Sequence, residues 1–143
     1  MDTLNITPVD WTTSDSIIKV IGVGGGGCNA VNYMYNNKIE GCTFVVANTD
    51  AQALDKCSVP LKVRMGTLGA GTDPTVGRNA ALNAQDKIAE AIFDGKTEML
   101  FITAGMGGGT GTGAAPVIAA MAKKKGILTV GVVTIPFRNQ GNE

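Results

Sequence analysis

Two glycine-rich segments hold most of the chemistry that this sequence can offer. Residues 22–27 read Gly-Val-Gly-Gly-Gly-Gly, which satisfies G-x-G-x-x-G, and residues 105–113 read Gly-Met-Gly-Gly-Gly-Thr-Gly-Thr-Gly. Glycine lets a backbone close on a phosphate, and a helix that starts behind such a segment offers unpaired amides and the positive end of its dipole. A turn alone needs one or two glycines, and a longer run costs ordering entropy. The first segment therefore points to a phosphate cradle of Gly24, Gly25, Gly26 and Gly27. In the second, Gly107, Gly108, Gly109 and Gly111 supply backbone, while Thr110 and Thr112 supply hydroxyls that can donate to phosphate oxygens. Two such cradles suit a di- or triphosphate.

The sequence also limits that chemistry. A Walker-type loop requires G-x-x-x-x-G-K-[ST], and neither segment contains a lysine, so amides and helix dipoles have to meet the phosphate charge, with Mg²⁺ as a helper. With no histidine in the chain there is no Ser-His or Cys-His nucleophile, and no catalytic residue and no metal ligand is assigned. Cys28, Cys42 and Cys57 form no C-x-x-C pair and read as reduced, structural thiols. A third segment, Gly-Ala-Gly-Thr-Asp-Pro at 69–74, brings Ala70, Gly71 and Thr72 forward as small residues that could approach a terminal phosphate, although a plain connector explains the composition as well. Asp50 and Asp73 could serve a metal or a water, or could cap the helices that follow them.

These segments need a scaffold to bring them together. Residues 17–23 and 43–47 are nearly continuous in apolar character, as strands buried on both faces should be, while residues 59–64 read as a weaker third strand and residues 99–103 and 127–135 as a fourth and a fifth. Between them the pattern predicts helices over 28–38, 51–55, 75–93 and 114–125, the last ending in three lysines that suit its C-terminal dipole. The alternation predicts an α/β fold, a doubly wound and mostly parallel sheet between two helical layers. In such a sheet ligands bind at the carboxyl ends of the strands, where both glycine-rich segments fall. Residues 1–16 read as a loose acidic tail, and residues 17–143 as one nucleotide-binding domain.

The bulk composition agrees with that scale. The 143 residues are 44% hydrophobic and 17% charged, which suits a globular chain and excludes a disordered one. Twelve basic residues balance twelve acidic ones, leaving no global field to draw nucleic acid or an anionic membrane. No apolar run approaches the roughly 20 residues that cross a bilayer, so the expectation is a cytoplasmic protein. The alternative of different class is the NAD-type dinucleotide-binding domain of an oxidoreductase. It rests on G-x-G-x-x-G and the α/β order, and it wants an acidic residue at the end of the second strand, where this chain has Asn48.

Gly-Met-Gly-Gly-Gly-Thr-Gly-Thr-Gly-Ala-Ala-Pro at 105–116 closely resembles the glycine-rich motif shared by tubulins and the FtsZ family, in its FtsZ form. Residues 18–32, residues 48–54, and Gly69, Ala70, Gly71, Pro74, Val76, Gly77, Arg78, Ala80 and Ala81 resemble further FtsZ segments. The resemblance implies a Rossmann-like GTPase fold that binds GTP or GDP. By it, Gly25 through Asn29 and Gly108 through Thr112 hold the α- and β-phosphates, Ala70 through Thr72 sense the γ-phosphate, and Asn48 and Asp50 line the pocket. Pro136 opens a segment in which Gln140 stands where the family usually has a ribose-contacting glutamate. The resemblance also implies self-association into filaments at the division septum, division-ring proteins as partners, and hydrolysis completed by acidic residues of a neighbouring subunit. It places the end of this chain before the family's central helix and second domain.

Overall fold

The structure is a computed structural model that describes residues 17–66, 73–105 and 108–135. Five strands, β1 (Ile18–Val23), β2 (Thr43–Asn48), β3 (Leu61–Arg64), β4 (Met99–Gly105) and β5 (Leu128–Thr134), alternate with helices α1 (Gly24–Asn36), α2 (Ala51–Asp55), α3 (Pro74–Asn83), α4 (Gln85–Ile92) and α5 (Gly109–Lys124). The strands form one parallel sheet in the order β3-β2-β1-β4-β5. The chain leaves β1 in one direction to build β2 and β3 and returns on the other side of β1 to build β4 and β5. The order therefore switches between β1 and β4, the position where open α/β sheets bind ligands.

Alternating side chains of the strands supply two cores. On one face Ile21, Val23, Val45, Ala47, Leu100 and Ile102 pack with Ile88 and Ile92 of α4 and with Val117 and Ile118 of α5. On the other, Val20, Phe44 and Val46 pack with Cys28 and Val31 of α1 and Leu54 of α2. The result is the expected three-layer arrangement. Ile21, Ile88, Ile92 and Ile118 are completely buried, each stabilising the fold by about 1.5–3 kcal/mol relative to an exposed side chain.

The helix boundaries correct the sequence reading at both glycine segments. Instead of a loop ahead of a helix at 28, the four glycines 24–27 form the first turn of α1. Likewise α5 begins at Gly109 rather than at 114. Glycine disfavours helix by about 1 kcal/mol per residue, so propensity argues for loops here, but tertiary packing overrides it. A Cβ on Gly27 would collide with the Thr103 carbonyl oxygen of β4. Gly24 has φ +76°, in the left-handed region that side chains avoid, and a Cβ there would stand 2.8 Å from the Gly111 amide nitrogen. The first turns of α1 and α5 thus meet backbone to backbone, as only glycine permits.

The helix expected over 75–93 is in fact two. At Ala84 (φ −108°, ψ 18°) the ladder tightens, with the Ala84 amide bonding to Ala81 O, and α4 restarts behind it. The two halves have different partners. Helix α3 lies against α5, where a Cβ on Gly113 would strike Pro74 O and one on Gly77 would strike Gly109 O, whereas α4 packs over β3. One straight axis cannot serve both. Asp73 caps α3 through the Thr75 amide at 3.0 Å.

Candidate functional site

The register of the sheet fixes where the site lies. Val23 pairs with Ala104 of β4 and with Ala47 of β2, so β1, β2 and β4 end at one level. From that level α1 rises directly behind Val23, and α5 rises behind Gly108. Neither helix start has a side-chain cap: Val23 and Gly108 are the N-cap residues, and neither offers a side-chain oxygen to the free amides. The first turns of both helices therefore present unpaired N–H groups and positive dipole ends side by side.

Between them is a cleft of about 590 Å³, lined by Val23, Gly24, Gly25, Gly26, Asn29, Gly105, Gly108, Gly111, Thr134 and Ile135. No charged side chain is among these residues. Gly25 and Gly108 have open space where a Cβ would stand, so the backbone there is directly accessible to a bound group. Chemically the cleft can hold an anion through main-chain amides, with Asn29 and Thr134 as polar side chains at its wall. Among the described lining residues no side chain titrates near neutral pH.

The sequence-predicted residues divide by where the fold places them. Gly24, Gly25, Gly26, Asn29, Gly108 and Gly111 converge on the cleft. Gly27 and Gly109 are buried in first-turn packing. Cys28 is turned into the α1 core, with Sγ 3.3 Å from Ala47 O and 3.5 Å from Gly22 O. Burial, reinforced by Cys57 nearby, pushes its thiol up to about 12. Thr112 is exposed outside the lining. Thr110 is buried, and its hydroxyl lies 2.9 Å from that of Thr49. Asn48 is also buried, its Oδ1 accepting from the Thr49 amide at 2.8 Å and the Asp50 amide at 3.3 Å.

Asp50 and Asp73 each cap a helix: the Asp50 carboxylate accepts from the Gln52 and Ala53 amides at the start of α2, and the Asp73 carboxylate from the Thr75 amide at the start of α3. Ala70, Gly71, Thr72, Gly107, Pro136 and Gln140 lie outside the described residues. Val23, Thr134 and Ile135 were not legible as lining residues. They are strand-end residues, and nothing in a sequence says that the fifth strand pairs with the fourth and brings Thr134 beside Gly26 at the start of α1.

The family model for the Tubulin/FtsZ family, GTPase domain, matches residues 17–143. The chain belongs to the tubulin/FtsZ family. Among its relatives, the cell division protein FtsZ of Pseudomonas putida is 56% identical over 140 residues, and that of Aquifex aeolicus 58% identical over 129. These alignments cover 94% and 87% of this chain but 35% of each relative, so the chain spans about a third of the length of the curated FtsZ proteins it matches. Solved structures agree. An empty FtsZ dimer of M. jannaschii superposes with a TM-score of 0.80 at 44% identity, covering 88% of this chain and 38% of that one. A GTPgS-bound protofilament of CetZ2 from Haloferax volcanii gives 0.73 at 27% identity, covering 87% and 41%. Against the tubulin/FtsZ fold, nothing in the geometry or among these relatives favours the dinucleotide oxidoreductase reading.

Proposed function

We propose that this chain binds GTP or GDP by its phosphates at the cleft between α1 and α5, as the nucleotide-binding part of a filament-forming cell-division GTPase. One observation carries the reading: two uncapped helix N-termini open onto the same cleft at the point where the strand order switches. Each helix end contributes about 0.3–1 kcal/mol toward a bound anion when exposed and up to about 2 when partly buried. Family membership supplies the guanine nucleotide and the relatives' names supply cell division. In this reading Gly25 through Asn29 and Gly108 through Thr112 surround the α- and β-phosphates, Ala70 through Thr72 approach the γ-phosphate, Asn48 and Asp50 form the pocket wall, and Pro136 and Gln140 lie toward the ribose.

Among the described residues no group of three His, Cys, Asp or Glu could cage a metal ion. A resident metal site does not fit them; a Mg²⁺ would enter with the nucleotide, held by phosphate oxygens and water. The described lining likewise has no carboxylate to orient an attacking water. Hydrolysis then draws its acid from outside this lining, and a neighbouring subunit in a filament is the source we propose, in keeping with the dimer and protofilament among the structural neighbours. The setting is the cytoplasm at the division septum, with division-ring proteins as further partners; no described helix is long and apolar enough to cross a membrane.

Titration of the purified chain with fluorescent GDP and GTP tests the reading. Saturable binding that unlabelled GDP displaces and NADH does not is expected. Absence of binding to the folded chain, or displacement by NADH alone, overturns it.

A further inference from the structure

Thr49 follows the last residue of β2, and Thr110 is the second residue of α5, 61 positions further along. Their hydroxyl oxygens lie 2.9 Å apart, and either could be the donor. The residues are 1% and 6% exposed, so water does not compete for the pair. Asp50 and Asn48 on either side are committed to local amides, which leaves the Thr49 hydroxyl as the group that ties this strand end to the first turn of α5.

A hydroxyl has one proton to give and two positions to receive. In a pair of hydroxyls one donates, and the other keeps its proton for a third group. An ionised phosphate oxygen can only accept. Thr110 is not in the cleft lining itself but packs directly behind Gly24, which is. A phosphate that reaches it at the α5 N-terminus selects the arrangement in which Thr49 donates to Thr110 and Thr110 turns its own proton to the anion. The Thr49 bond polarises the Thr110 hydroxyl in the direction that makes it a better donor. We propose that Thr49 is a positioning residue for nucleotide binding: buried, untouched by the ligand, and acting through Thr110. The inference rests on the phosphate reading of the α5 N-terminus and adds to it a residue that the glycine motifs do not contain.

The test measures GDP affinity and nucleotide-free melting temperature for the wild-type chain, Thr49→Val, Thr49→Ser, Thr110→Val and the Thr49→Val/Thr110→Val double variant. Thr49→Val is expected to weaken GDP binding about tenfold, the order of one hydrogen bond. Serine restores the hydroxyl and should bind within about twofold of wild type. The double variant should bind no more than about twofold more weakly than Thr110→Val alone, since Thr49 has nothing left to act through. Wild-type affinity in Thr49→Val, failure of serine to rescue, or losses that multiply in the double variant would each overturn the proposal. Should Thr49→Val not fold, Thr49→Ala removes the hydroxyl without a new methyl, and the same tenfold loss decides. If the wild-type chain itself does not bind GDP, it is the nucleotide reading that fails instead.

Discussion

Lys19 is the second residue of the buried strand β1 and is 3% exposed, which for a cationic side chain would by itself be costly. Its Nζ meets the Asp94 carboxylate at 3.0 Å and also donates to Ala91 O at 3.3 Å. Burial pushes the Asp94 carboxyl up, but hydrogen bonds from the Lys96 amide, from Lys19, and from the Thr97 hydroxyl and amide outweigh it and hold the group well below the usual carboxylate range. A carboxyl depressed in the fold adds stability that is fully present above its unfolded value, about 3.9, and is lost as the pH falls through the lower folded value. Asp94→Asn should cost about 2–4 kcal/mol at neutral pH in urea unfolding, because it strands the buried Lys19 charge. The variant should also lose much of the decline in stability that wild type shows between about pH 4 and acid. Cys28 gives the complementary case: with its thiol pushed up to about 12 and buried, it should resist alkylation at neutral pH until the chain is unfolded in denaturant.

At the scale of the elements, the glycines separate into two kinds that the sequence presents alike. Gly25 and Gly108 face open space, whereas Gly27, Gly77 and Gly113 are there because another backbone occupies the place of a side chain. Gly113→Ala should therefore destabilise by about 3 kcal/mol, as Pro74 O and the Arg78 amide have to move and α3 with them. Gly25→Ala, in the first turn of α1, should leave the melting temperature unchanged or raise it slightly while weakening GDP binding. A loss of stability in Gly25→Ala equal to that in Gly113→Ala would contradict this division. Paired differential scanning fluorimetry and GDP titrations read both variants. The caps act at this scale too: Asp73→Ala should cost about 1 kcal/mol, and Asp73→Ser much less, because serine can still accept from the Thr75 amide.

Over the whole molecule, the sheet is closed by helices on both faces but unevenly along its width. Among the described residues the edge strand β5 exposes Leu128, Val132 and Val133, and Ile135 follows them at 70% exposure. An apolar edge strand with free ladder groups is a template for association. The purified chain should self-associate with concentration in sedimentation velocity, and Val133→Lys should shift it toward monomer. Nucleotide acts on the whole molecule through linkage. At a free GDP concentration a hundredfold above Kd, the folded state gains about 2.7 kcal/mol, which for a domain of this size raises Tm by roughly 6–10 °C.

The order of strands and helices was legible because the buried strands β1 and β2 read as β-branched apolar runs and α1 and residues 75–93 as periodic segments, and that order already implied a parallel sheet with ligands at its carboxyl end. The paired glycine segments were equally legible as places of close backbone approach, since composition alone marks a chain that has to approach something closely. What they approach was not. Only the assembled sheet decided that Gly27 and Gly113 pack against protein while Gly25 and Gly108 stay open, that Cys28 faces a core, and that Thr49 meets Thr110. Those outcomes depend on contacts between residues far apart in the chain, and periodicity carries no information about them. The glycine turns 24–27 and 109–113 were read as loops for the same reason: propensity is a property of the residue, whereas the backbone contacts that make them helical exist only after α1, α5 and β4 have come together.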